Sequence, residues 1–259
     1  MSTITTEQVK ELRDRTGISV MQCRKALEEA AGDMEMAITI LKKQSGLAAA
    51  KKGDRTAEAG LIVAKKEGNK IVALTLNCET DFVAKNDDFI TLAKALLEKA
   101  WSDGAAAAES AATDMIAPII QKIGENIKLG SIKETVSENT LGLYVHDGKL
   151  GTITEIKGGD DVLAKDLAMH IAAMKPEFMT RDAVPAETVA QVKEIATKEV
   201  DTSKSADIQE KILTGKIDAY FKERTLMDQP FFKDDSKTIA QVLKEHGAEI
   251  VSYTQLSLA

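Results

Sequence analysis

The chain has 259 residues, of which 44% are hydrophobic and 29% charged, enough apolar material to bury a core in one large domain or two to three smaller ones. A net charge of -7 at pH 7 argues against affinity built on phosphate neutralisation, so no direct nucleic-acid binding is expected and a protein partner is the default. Cys23 and Cys78 each sit in an apolar segment far from the other and suggest neither a disulfide framework nor a thiolate metal site. The opening Met1-Ser2-Thr3-Ile4-Thr5-Thr6 lacks the blocks of a targeting signal, and no apolar run approaches membrane-spanning length, so the expected location is a reducing cytoplasm without membrane association.

In chain order, residues 1–54 read as a small three-helix bundle and linker. Thr5 or Thr6 opens the first helix, with Val9 and Leu12 inward; Ser19-Val20-Met21-Gln22 forms a capping box after Gly17. Cys23, Ala26, Leu27 and Ala30 face inward from the second helix. Asp33 caps the third, whose stripe is Met34, Ala37, Ile38 and Leu41 and whose end is expected at Gly46.

The rest contains an internal repeat. Residues 60–74 and 142–156 both read as β-hairpins, with β-branched and apolar residues flanking a Gly-containing polar turn. An apolar helix follows each, at 89–100 and at 162–174, and each copy closes through a second helix and a glycine, Gly124 or Gly247, into a strand. The repeat unit is hairpin, helix, helix, strand, so the fold class is α+β with a duplicated core and antiparallel sheets, its halves at 55–138 and 139–259. The second half carries an insertion at about 181–235, in which Val189, Val192, Ala196 and Val200 line one helical face and Ile208, Ile212, Ala219 and Phe221 another. With a turn at Asp201-Thr202-Ser203-Lys204 it reads as an antiparallel helical hairpin, suited to self-association, to partner contact, or simply to packing on its own domain.

No Walker loop, dinucleotide fingerprint or nucleophile elbow is present, so no covalent chemistry and no cofactor is expected. His146, His170 and His246 lack metal-ligand spacing, and His170, beside Ile171 on an apolar helix, suits a core or an interface. The acidic pairs Asp87-Asp88 and Asp160-Asp161 precede helices, where they complement the positive helix end. The segment that stands apart is 77–88, between a strand and a helix. Its Phe82 lies among polar neighbours in a chain with only 4% aromatic residues, and it either folds back into the core or points outward.

The run Thr80-Asp81-Phe82-Val83-Ala84-Lys85-Asn86 resembles the signature of the elongation factor Ts family, exchange factors for the translational GTPase elongation factor Tu. Leu12-Arg13-Asp14-Arg15-Thr16-Gly17 through Cys23-Arg24-Lys25-Ala26-Leu27 resembles the family's amino-terminal signature, and Ala168-Met169-His170-Ile171-Ala172-Ala173-Met174-Lys175-Pro176 another of its segments, in the family's order. The resemblance implies a ubiquitin-associated-like amino-terminal module, the duplicated α+β core and an inserted coiled-coil hairpin. It also implies a guanine nucleotide exchange factor of translation elongation, in which Thr80, Asp81, Phe82 and Val83 enter the GTP-binding domain of elongation factor Tu near its magnesium site, dislodge the ion and promote GDP release. On the same footing, Arg13, Val20, Met21, Arg24, His146 and His170 are candidate partner contacts, although Val20 and Met21 could instead staple their helix start, and the helical hairpin offers a route to a homodimer or a 2:2 complex. Longer family members continue into an extra helical module where this sequence stops at Ser257-Leu258-Ala259, so contacts made by that module are not expected here.

Overall fold

In the computed structural model, which describes residues 4–200 and 205–258, the amino-terminal segment forms α1 (Thr6–Thr16), α2 (Val20–Glu29) and α3 (Met34–Lys52). Thr5 closes a full capping box with Gln8. Ser19 makes only half of the expected one: its hydroxyl accepts from the Gln22 backbone N–H and donates to the Gln22 side chain at 3.0 Å. Leu12, Ile18, Cys23, Leu27, Ala37 and Leu41 form the small core between the helices. α3 does not stop at Gly46 but runs through it for six more residues. Gly46 is exposed with nothing nearby, and a lone glycine in a helix costs about 1 kcal/mol, which the alanines that follow and the packing of Ala49 offset.

The expected repeat is present element by element. β1 (Ala59–Glu67) and β2 (Lys70–Cys78) form an antiparallel hairpin through a two-residue turn with Gly68 at φ 56, and β3 (Ile127–Val136) adds to the far side of β2. Between β2 and β3 come a single helical turn, α4 (Asp81–Ala84), then α5 (Asp87–Asp103) and α6 (Ala105–Ile123). Eight successive residues of the central strand, 71–78, are buried, and α5 and α6 cover one face of the sheet with Phe89, Leu92, Leu96, Ala108, Ile116 and Ile120. The second copy has β4 (Thr140–His146) and β5 (Leu150–Lys157), then α7 (Asp161–Met174), and closes with α10 (Ile239–Glu245) and β8 (Glu249–Ser257) in the order β4-β5-β8. Its hairpin turns at Asp147-Gly148, both with positive φ, and the Lys149 N–H donates to the His146 carbonyl at 2.9 Å. Ile156, Leu163, Leu167, Ile171, Ile239 and Leu243 form its core.

The insertion comprises α8 (Ala186–Lys198) and α9 (Ala206–Arg224), and adds a small unanticipated hairpin, β6 (Pro230–Phe231) with β7 (Asp234–Thr238). The expected turn at 201–204 lies outside the described residues. Val189, Val192 and Ala196 are shielded on α8, with Val200 half-buried just past its end, as the spacing indicates; on α9 Ile212 and Phe221 are shielded as expected, together with Leu213, Ile217 and Tyr220, while Ile208 and Ala219 are exposed. Ala219 breaks the expected face because it stands two positions before Phe221, on the opposite side of a 3.6-residue period.

The chain divides by contact into two units, one comprising residues 1–136, 145–151 and 256–259, the other 137–144 and 152–255. Among the described residues no helix is long and apolar enough to cross a membrane, and no cluster of His, Cys, Asp or Glu could hold a metal ion.

Candidate functional site

The loop that carries Phe82 is built from the strand outward. β2 ends at Cys78, whose buried thiol donates to the Thr80 carbonyl at 3.1 Å. Burial, followed by the nearby Glu125 charge, pushes that thiol up to about 11, so it stays protonated and offers no nucleophile. Thr80 is the N-cap of α4, its hydroxyl accepting the Val83 N–H at 3.4 Å. The following helix begins at once, with Asn86 capping α5 by accepting the Asp88 N–H at 2.9 Å. A segment expected to be loop is therefore one helical turn held between two caps.

That turn separates adjacent side chains by about 100°. Val83 points inward and is buried with the α5 residues, whereas Phe82 is 81% exposed. Of the two sequence-level alternatives for this ring, the outward one holds. Asp81 is exposed and pairs with Lys85 at 3.2 Å, one turn on.

Two carboxylates, which sequence reasoning passed over, tie this turn to the connection between α6 and β3. Glu125 accepts from the Thr80 backbone N–H at 3.0 Å and from its hydroxyl at 2.7 Å. Glu79 accepts from the Asn126 N–H at 2.6 Å and meets Arg55 at 3.4 Å; those contacts, the Asn126 N–H first, hold its carboxyl below the usual range. The Asn126 amide in turn donates to the Arg55 carbonyl at 2.7 Å. Partners 45 and 47 residues apart leave no local pattern; the one available hint was a polar Gly124-Glu125-Asn126 at a helix end facing the polar Glu79-Thr80.

The remaining candidates lie on other elements. Arg13, Val20, Met21 and Arg24 are exposed around the connection of α1 to α2. Val20 is 52% and Met21 69% exposed, so neither is stapled into its own helix start, and Arg24 pairs with Glu28 at 3.0 Å. His146 ends β4 with an exposed ring 3.8 Å from the Asp147 carboxylate.

His170 is a correction. Its ring is fully buried, with Nε2 donating to the Gln229 Oε1 at 3.0 Å and Nδ1 accepting the Phe232 N–H at 3.4 Å, beside Phe231 and Phe232. The Gln229 amide nitrogen donates instead to the Glu223 carbonyl, which leaves its oxygen toward the imidazole and fixes the neutral Nε2–H tautomer. Burial pushes this imidazole below its ordinary 6.5, with Gln229 opposing. A ring so enclosed organises its own core and presents no surface to a partner.

The family model described as Elongation factor TS matches residues 79–259, beginning at Glu79. Elongation factor Ts from Aeromonas hydrophila is 42% identical over 269 aligned residues, covering 100% of this chain and 92% of the relative. The proteins of the same name from Psychromonas ingrahamii and Alcanivorax borkumensis are each 42% identical, covering 99% and 96% of this chain and 91% and 92% of their own. A family model over most of the sequence, together with relatives aligned nearly end to end, places this chain in the elongation factor Ts family.

Proposed function

We propose that the protein is the guanine nucleotide exchange factor of elongation factor Tu: it binds the GDP-loaded GTPase, inserts the α4 turn near the magnesium site and releases GDP so that GTP can bind. The observation that carries this reading is the Phe82 ring, 81% exposed on a turn fixed by caps and carboxylates rather than on a slack loop. An exposed phenyl contributes on the order of 2 kcal/mol when it fills a partner pocket, and a preformed turn loses little entropy in doing so. Asp81, exposed beside it, brings negative charge toward groups that hold the cation. Bound magnesium offsets phosphate charge, so disturbing its ligands weakens GDP without any covalent step.

Arg13, Val20, Met21 and Arg24 of the ubiquitin-associated-like α1–α3 module, together with His146, supply further contact with the GTPase. The α8–α9 pair acts as a coiled-coil arm, whose exposed Ile195 and Ile208 favour association of two copies in a homodimer or 2:2 complex.

Release of labelled GDP from elongation factor Tu tests the exchange reading. Catalytic amounts of the chain should accelerate release strongly, and the advantage should shrink when a chelator has already stripped magnesium, because the step the factor promotes has then been made. Binding without acceleration would instead identify a scaffold.

A further inference from the structure

The exchange reading names the residues that would enter the partner but leaves open what keeps a four-residue helix in shape while its aromatic ring stands in water. A single turn is not self-supporting, because helix nucleation fixes several dihedrals for each hydrogen bond gained. The Phe82 side chain, being exposed, contributes little to holding it. Val83 packing anchors one side, and the other depends on the Thr80 cap.

From this arrangement we infer that Glu125 is a positioning residue for nucleotide exchange: its carboxylate orients the Thr80 N-cap and thereby aims the Phe82 ring, without itself touching the partner. This rests on the exchange reading above and deepens it.

Glu125 follows Gly124, the left-handed residue with φ 93 that ends α6, so the carboxylate leaves a helix end anchored by Ile116 and Ile120 in the core. It accepts two charge-assisted hydrogen bonds from one residue, at 3.0 Å from the Thr80 N–H and 2.7 Å from its hydroxyl. The second bond matters most. By taking the hydroxyl proton it leaves the oxygen lone pairs for the Val83 N–H, so the cap of α4 is set by a residue 45 positions away. Glu79 answers in the opposite direction by accepting the Asn126 N–H at 2.6 Å. The two connections thus hold each other through reciprocal carboxylate-to-N–H bonds, and rotation of the Thr80 side chain is blocked. Such a lock stores no binding energy of its own. Its effect falls on the geometry of the ring at the moment the partner yields its nucleotide, where small misplacements are costly.

The test uses the full chain and GDP release from elongation factor Tu. Glu125→Ala should lower kcat at least about tenfold while KM shifts no more than about twofold, since the α1–α2 contacts are untouched. Glu125→Gln keeps the reach but replaces one acceptor oxygen by an NH2 group, so it can accept from the Thr80 hydroxyl or from its N–H but not from both, and it should recover only part of the rate. Glu125→Asp keeps the charge but retracts it by one methylene and should remain slow, so this pair decides the matter even where the alanine variant folds poorly. In the free chain, hydrogen exchange at the amides of residues 81–83 should quicken in the order Gln, Asp, Ala. An unchanged kcat per folded molecule in Glu125→Ala, or a loss equal in all three variants, overturns the positioning role alone. Failure of the unaltered chain to accelerate GDP release would overturn the exchange reading and this inference with it.

Discussion

Phe82 and Val83 show how much two neighbouring residues can differ in consequence. Val83 is a core residue, and Phe82 is the largest exposed apolar side chain near the turn. Removing a side chain that its own fold does not bury should leave stability within about 0.5 kcal/mol of the parent, so Phe82→Ala should melt with the parent. If the ring fills a partner pocket worth about 2 kcal/mol, GDP release should slow on the order of 30-fold. A stopped-flow rate that matches the parent would remove the ring from the mechanism. His170 has the opposite character, and its consequence is a pH dependence of folding. Its folded pKa is pushed below the ordinary 6.5 by burial, so the unfolded chain takes up a proton first as pH falls. The stability owed to the neutral ring is complete above 6.5 and is lost as pH drops below it, because a proton on Nδ1 would face the Phe232 N–H. Denaturant titrations at about pH 7.5 and about pH 5.5 should therefore differ less in His170→Gln than in the parent; equal differences would show that this ring does not titrate on unfolding.

At the scale of elements, the duplicated hairpins place glycines where only glycine fits. Gly60 and Gly142 lie near the starts of the equivalent strands β1 and β4, and a Cβ on Gly142 would collide with the Ala164 carbonyl of α7 and the Thr154 hydroxyl of β5. Both obstacles are fixed, since Thr154 itself donates to that carbonyl at 2.8 Å. Gly142→Ala should cost about 2 kcal/mol or more, read as a lowered denaturation midpoint; a parent-like midpoint would mean that the strand yields. These hairpins were legible because apolar alternation around glycine turns has one good structural solution. The order of elements around them was legible because it occurs twice. What escaped was whatever tertiary contact decides. α3 passes Gly46 because its far end packs on the next core, and α9 shields Leu213, Ile217 and Tyr220 beside the expected Ile212 and Phe221 while leaving Ile208 and Ala219 exposed. In the site, the resemblance supplied Thr80, Asp81, Phe82 and Val83, whereas Glu79 and Glu125 became visible only when a strand end and a helix end, distant in sequence, were brought together.

For the molecule as a whole, the candidate contacts fall on separate elements, and this separates affinity from rate. Met21 is 69% exposed on α2, far along the chain from α4, and makes no claim on the nucleotide. Met21→Glu should weaken binding to the GDP-bound and nucleotide-free forms of elongation factor Tu by one common factor, raising KM with kcat unchanged, as loss of uniform binding does. Phe82→Ala should act differently. A factor that lowers GDP affinity must have its own affinity lowered by GDP to the same degree, so the ratio of its dissociation constants for the GDP-bound and nucleotide-free partner measures the loosening directly. In titrations of both partner forms, Phe82→Ala should shrink that ratio and Met21→Glu should preserve it. If both variants left the ratio intact, the ring would be one more gripping contact, and the loosening would have to originate in a different part of the chain.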